Sequence, residues 1–312
     1  MSNKDKVSAR PSARVMKRYI LSRHKQWVTL ILLLCYFAVT PLLFHSAGTK
    51  QTKATWLWDT EWMRDNPDEV VSFSQDNEVD LIFVQISTDV KEVEYRQFIR
   101  KAREAGIDVH ALNGSPEWAR ADKQEEGAEF IRWVASFNEQ AGPEERFTGI
   151  HLDVEPYLLR GWKRDQSRIV REWSHNMTRW LSEARAAGLY IAADVPFWLH
   201  RIETSEGGGS LGEWMLERFD SLAIMAYRDH SDSIYDLAID MLAQAEKANK
   251  KILIGVELGK TDEGDFVTFH GKSVNYFEEH LQEVGRQSVD HPSYGGVAVH
   301  HLRAWYEKVN PE

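Results

Sequence analysis

The sequence predicts an α/β protein of the (β/α)8 TIM barrel class, preceded by one N-terminal transmembrane helix. Three observations carry this. From residue 54 onward, eight short apolar, β-branched runs alternate with amphipathic stretches. The eight units fill roughly 260 residues, the size of such a barrel. Residues 27–44, WVTLILLLCYFAVTPLLF, contain no charged side chain, and a run of about 18 is near the minimum that crosses a bilayer.

Taken in order, the strands are expected at 54–59, 80–87, 107–113, 147–155, 189–196, 220–228, 251–257 and 295–302. Helices are expected near 91–105, 123–140, 165–187, 211–218, 232–248 and 273–288, and Ala-Gly or Asn-Lys steps close several of them. An open doubly wound sheet is the alternative, but no Gly-x-Gly-x-x-Gly follows the first strand. Two connections exceed simple turns: 201–210 (RIETSEGGGS) and 259–272 (GKTDEGDFVTFHGK). Segments of that kind read either as a lid over a site or as solvated surface loops.

Ahead of the apolar run stand Lys4, Lys6, Arg10, Arg14, Lys17, Arg18, Arg23 and Lys25. Basic flanks resist translocation. The expected organisation is therefore a basic cytoplasmic tail at 1–26, a signal anchor at 27–46 and a barrel domain at 52–312 held at the cell membrane, outside the cytoplasm. Small residues at Ser46-Ala47-Gly48 leave open the alternative of signal cleavage and secretion.

Charge is divided unevenly. Of 38 Lys/Arg and 48 Asp/Glu, residues 1–50 hold nine bases and one acid, leaving 29 bases and 47 acids, or about −18, in the body. Such a surface repels nucleic acid and offers phosphates no basic groove. The only cysteine, Cys35, lies in the apolar run, so the body has neither a disulfide framework nor a cysteine zinc site. The sequon Asn176-Met177-Thr178 falls on an expected helix and is read as chance.

The functional signal lies in GIHLDVEPY, residues 149–157. Side chains alternate across a strand, so Ile150, Leu152 and Val154 share one face and His151, Asp153 and Glu155 the other. In a barrel the apolar set packs on the helices and the polar set enters the lumen. The same parity sends Asp194, Met225, Tyr227, Glu257 and His300 inward, toward the carboxyl ends of their strands, where barrel enzymes carry out chemistry. Two carboxyl groups flanking a glycosidic bond suffice for its hydrolysis, one protonating the leaving oxygen. Glu155 beside Asp153 is the natural donor, because a neighbouring carboxylate favours its acid form. Trp58, Trp198 and Trp305 fall at or just past strand ends, where flat rings stack on sugars.

At these residues the sequence resembles the family 18 glycoside hydrolases, the chitinase-like enzymes. Their fourth strand ends in D-x-x-D-x-D-x-E and their sixth carries M-x-Y-D or M-x-Y-N. The corresponding positions here are Thr148, His151, Asp153 and Glu155, then Met225-Ala226-Tyr227, with GVAVHHLRAW resembling the last strand and its Trp. The resemblance implies Glu155 as general acid, Asp153 orienting an N-acetyl group and Tyr227 bonding near the reacting carbonyl. It also implies an amino-sugar polysaccharide as substrate; His151, Asp194 and His300, placed by parity, and the three tryptophans at strand ends are the expected substrate-binding residues, and no cofactor is expected. Thr148 and His151 replace the two outer aspartates of the pattern.

A second resemblance is to the retaining glycosidases that place an acid/base Glu at the end of strand 4 and a nucleophile Glu at the end of strand 7. Glu155-Pro156 and Glu257 fit that scheme. Two further readings come from other classes. A metal hydrolase would draw on His110, His151, Asp153, Asp194 and His300, but lacks His-x-His on the first strand and any His-Glu-x-x-His helix. A catalytically silent carbohydrate-binding barrel would explain the missing outer aspartates.

Overall fold

The computed structural model describes residues 50–204 and 208–311. The expected tail and anchor, 1–26 and 27–46, lie outside the described residues. Among those described, no helix is long and apolar enough to cross a membrane.

Eight strands close a barrel: β1 Thr52–Leu57, β2 Leu81–Gln85, β3 Asp108–Asn113, β4 Gly149–Leu152, β5 Tyr190–Pro196, β6 Ser221–Met225, β7 Lys251–Glu257 and β8 Tyr294–His300. Each pairs in parallel with its sequence neighbours, and β8 returns to β1. Parallel strands must be buried on both faces, which is why these runs are so rich in Ile, Val and Leu.

The two faces feed two cores. Ile150, Leu152, Val154, Ile191, Val195, Ile252, Ile254 and Val256 pack outward against the helices. Ala54, Trp56, Phe83, Leu112, Ala223, Leu253 and Ala298 fill the lumen. Each large side chain buried in this way contributes about 1.5–3 kcal/mol. The parity read from the sequence therefore holds.

Strand ends differ from expectation. β4 stops at Leu152, three residues short, because Pro156 lacks a ladder donor and restricts the residue before it. Glu155 sits at φ −109°, ψ 72°, and Pro156–Leu158 form a 3-10 turn. Asp153 and Glu155 thus stand just beyond the strand, at the barrel mouth.

The helices α1 Thr60–Asp65, α2 Pro67–Asp76, α3 Glu92–Glu104, α4 Gln124–Gln140, α5 Trp162–Ala186, α6 Leu211–Arg218, α7 Ser231–Lys247, α8 Val274–Ser288 and α9 Leu302–Val309 form the shell. α1 and α2 were not expected. Asn66-Pro67 splits them, with the proline opening the second helix.

α9 was also missed, and with it the place of Trp305. β8 ends at His300, the His300–His301 peptide bond is cis, and the chain turns at once into α9. That carries Trp305 into the helix shell, 3% exposed, edge-on to Phe73 and Phe277 at 5.9 and 6.1 Å. It packs in the outer core, so the expectation that it binds sugar is corrected. Asn176 is likewise fully buried and donates to the carbonyls of Trp118 and Arg120, which removes it as a glycan acceptor.

Candidate active site

The floor of the mouth is aromatic. Phe83 stacks on His151 with centroids 3.7 Å apart, and Trp56 meets the same ring edge-on at 6.2 Å. Lower down, His110 lies over Gly149, where an added Cβ would come within 2.7 Å of its ring. Burial pushes both histidines down to about 3, so both are neutral near pH 7. His151 is therefore a packed floor residue, 1% exposed.

Above the floor sit three carboxyl groups. Asp194 is buried on β5; its Oδ2 accepts the indole N–H of Trp56 at 2.9 Å. Its Oδ1 lies 2.9 Å from His151 Nε2 but without the alignment of a hydrogen bond. Burial raises the Asp194 pKa to about 8, opposed by the Trp56 bond and His300. Asp153 is held well above the ordinary carboxyl range by burial first, then by Asp194 and Glu155. Its backbone is fixed by a bond from its N–H to the Asn113 carbonyl and by contact with Gly114, where a Cβ would fall 1.8 Å from the Asp153 carbonyl oxygen.

Glu155 is raised as well, and its cause differs from the one expected. Burial comes first; the bond from Tyr157 and the proximity of His300 oppose it; the carboxylate that adds to it is Glu263, on the 259–272 loop. Asp153 feels the charge of Glu155 in its own shift. The hydroxyl of Tyr157 donates directly to Glu155 Oε1.

On the far wall, Glu257 and His300 end β7 and β8 as register partners. Glu257 Oε2 lies 2.7 Å from His300 Nδ1, and its Oε1 accepts the Gly259 N–H at 2.5 Å. Each oxygen of Glu257 is thus already engaged by its own chain. His300 Nε2 accepts the indole N–H of Trp58 at 2.9 Å, which assigns the ring proton to Nδ1. Burial disfavours a charged His300, but its bond to Glu257 outweighs that, and its pKa is raised. Tyr227 lies beside it, centroids 5.8 Å apart; burial, then Glu257, pushes its phenol upward.

The barrel mouth therefore gathers Trp58, His151, Asp153, Glu155, Asp194, Tyr227, Glu257 and His300. Trp198 stands at the rim, edge-on to Tyr157 at 5.2 Å. Two contributors escaped the sequence reading: Tyr157, and Trp56, which shares strand parity with Trp58 and was legible on that ground. The 259–272 loop is tied down by bonds from Phe269 N–H and Thr268 hydroxyl to the Glu257 carbonyl. Among the described residues, no group of three or more His, Cys, Asp or Glu is arranged to hold a metal ion. A cavity of about 690 Å³ lies instead at the amino ends of the strands, lined by Thr52, Asn77, Leu281, Arg286 and Trp305. None of the mouth carboxyl groups faces it.

No family model matches the chain, and no curated protein sequence does. Its fold is similar to that of solved chitinases. One from Chromobacterium violaceum is 13% identical, covering 84% of this chain and 98% of its own at a TM-score of 0.53. One from Bacteroides thetaiotaomicron is 12% identical, covering 82% and 91% at 0.52. A family GH18 chitinase from Cycas revoluta in complex with allosamidin is 13% identical, covering 81% and 95% at 0.50. The chain is a TIM barrel resembling family 18 chitinases.

Proposed function

We propose that this protein is a membrane-anchored glycoside hydrolase cleaving an extracytoplasmic amino-sugar polysaccharide, with Glu155 as general acid. The observation that carries the reading is Glu155 itself. It is a half-buried carboxyl group with a raised pKa, at the carboxyl end of β4 in a chitinase-like barrel, held by Tyr157. A carboxyl group whose pKa is raised keeps its proton to higher pH and can donate it to a leaving glycosidic oxygen. Fold alone does not specify chemistry; the reading rests on this group.

Asp153 and Tyr227 complete the scheme. With its backbone fixed against Gly114, Asp153 offers an oxygen that orients the substrate's acetamide as that group stabilises the developing oxocarbenium ion. Tyr227 donates toward the same acetamide oxygen. Trp58 and Trp198 supply flat faces for neighbouring sugars. The covalent scheme using Glu155 and Glu257 has less support, because Glu257 spends one oxygen on His300 and the other on Gly259.

The test is release of new reducing ends by the full chain and by Glu155→Gln, on chitin, peptidoglycan glycan, deacetylated glucosamine polymer and plain β-glucan. Cleavage of an N-acetylated polymer, lost in Glu155→Gln, is the expected result. Glu155-dependent cleavage of plain glucan alone would move the assignment to the covalent scheme. Retained sugar binding with no cleavage anywhere would make the barrel a binding protein.

A further inference from the structure

The β4 motif lacks the two outer aspartates of the family pattern, yet the mouth contains a carboxyl group from another strand. Leu152 and Ala193 are register partners on β4 and β5, so the next residues along, Asp153 and Asp194, are neighbours across the sheet and both turn into the lumen. Asp194 is 3% exposed. Trp56 occupies its Oδ2; its Oδ1 faces His151 Nε2 at 2.9 Å without hydrogen-bond alignment, and Oδ1 of Asp153 is buried with no hydrogen-bond partner among the described residues. A buried oxygen without a donor is costly, and two neighbouring carboxylates in one apolar site cannot both ionise cheaply.

We propose that Asp153 and Asp194 form a cross-strand carboxyl pair holding a single proton, with Asp194 on β5 as the positioning residue that sets the charge of Asp153. One shared proton removes one negative charge and supplies the missing donor. Trp56 fixes the orientation of Asp194 from its other oxygen. The groups facing the pair are consistent with a single charge there. His151 beneath it is neutral; Glu155, itself raised, pushes both aspartates upward only when ionised, and His300 opposes that. Tyr227 and Tyr157 stay protonated because burial, with these carboxylates adding to it, raises both. The pair stands on this chain's geometry alone; its consequence, that Asp194 tunes how Asp153 holds a substrate amide, rests on the hydrolase reading above.

The Trp56 indole N–H is a built-in reporter, since it bonds the carboxyl in question. In the full chain labelled with ¹⁵N-Trp, its resonance is assigned by loss in Trp56→Phe and followed against pH. The expected result is a step well above the ordinary aspartate value of about 3.9, absent in Asp194→Asn. In Asp153→Asn the step should move down by at least about one pH unit, because the like charge and the proton partner are gone. A step that stays where it was in Asp153→Asn overturns the pair, as does a step within the ordinary aspartate range in the wild type. Should Asp153→Asn fail to fold, the Asp153 carboxyl ¹³C shift in the wild type and in Asp194→Asn carries the same test. There the Asp153 titration must fall when Asp194 is replaced, and an unchanged titration overturns the pair. None of these readouts needs turnover. A shared proton without cleavage defeats only the hydrolase reading, and cleavage with independently titrating aspartates defeats only the pair.

Discussion

Nδ1 of His300 lies 2.7 Å from Oε2 of Glu257, at the paired ends of β8 and β7, while Trp58 donates to the opposite nitrogen of the same ring. The two neighbours make opposite demands. Glu257 favours the imidazolium, and Trp58 needs Nε2 unprotonated, so protonating His300 breaks the Trp58 bond.

The Glu257–His300 bond should show in the pH dependence of stability. The pKa of His300 is raised above its unfolded value of 6.5. Its contribution is then complete below that value and is lost as pH rises through the folded pKa. Glu257→Gln should cost about 1–3 kcal/mol more below about pH 6 than on the alkaline side of the folded His300 titration, read from urea midpoints. A cost that is flat or grows with pH would show that Glu257 acts as a loop anchor alone. Trp58→Phe should raise the His300 titration further, since the competing donor is gone.

Gly114 should be intolerant of a side chain. An added Cβ would fall 1.8 Å from the Asp153 carbonyl oxygen, and Asp153 cannot withdraw without releasing its bond to Asn113. Gly114→Ala should cost about 2–4 kcal/mol and displace Asp153. Gly271→Ala, where nothing lies within 4 Å of the added Cβ, should change stability by less than about 0.5 kcal/mol. Equal costs at the two sites would remove the steric account.

These residues also show how far the sequence could be read. Strand parity placed Asp153, Asp194, Glu257 and His300 in the lumen because alternation is local and rigid. Trp305 was placed only by its closeness to a strand end, and nothing in GVAVHHLRAW marks where the strand stops and the helix begins. The α1–α2 pair stayed hidden because Asn66-Pro67 interrupts an already short apolar period. Partnerships across the barrel were illegible: the Trp56 bond to Asp194 spans 138 residues, and the influence of Glu263 on Glu155 arises from a loop whose path no local pattern encodes.

The membrane reading is tested by fractionation. Residues 27–44 carry no charge and are preceded by eight basic residues, whereas the body is acidic. The full chain should sediment with membranes and resist a high-salt wash, since salt screens charge contacts but not buried apolar area. Protease added outside sealed cells should digest the barrel and spare the tail. Release by salt, or a barrel protected in sealed cells, would count against an outward-facing anchor; a shortened chain in the medium would identify signal cleavage.

Glu155 makes the most direct prediction, because the proposed scheme uses its acid form. Glu155→Gln should lower turnover by about 10²–10⁴-fold with little change in fold. The wild-type rate should fall on the alkaline side as pH rises through the raised pKa of Glu155. Tyr157 donates to the carboxyl and thereby favours its ionised form. Tyr157→Phe should therefore move the alkaline limb of kcat/KM upward, by up to about one pH unit. Stability carries the matching sign: a carboxyl whose folded pKa lies above its unfolded 4.5 loses stability as pH rises between the two values. Glu155→Gln should lack that loss and be at least as stable as the wild type at neutral pH. An alkaline limb that moves downward in Tyr157→Phe, or a Gln variant destabilised equally at every pH, would show that Glu155 is a structural carboxylate and not the proton donor.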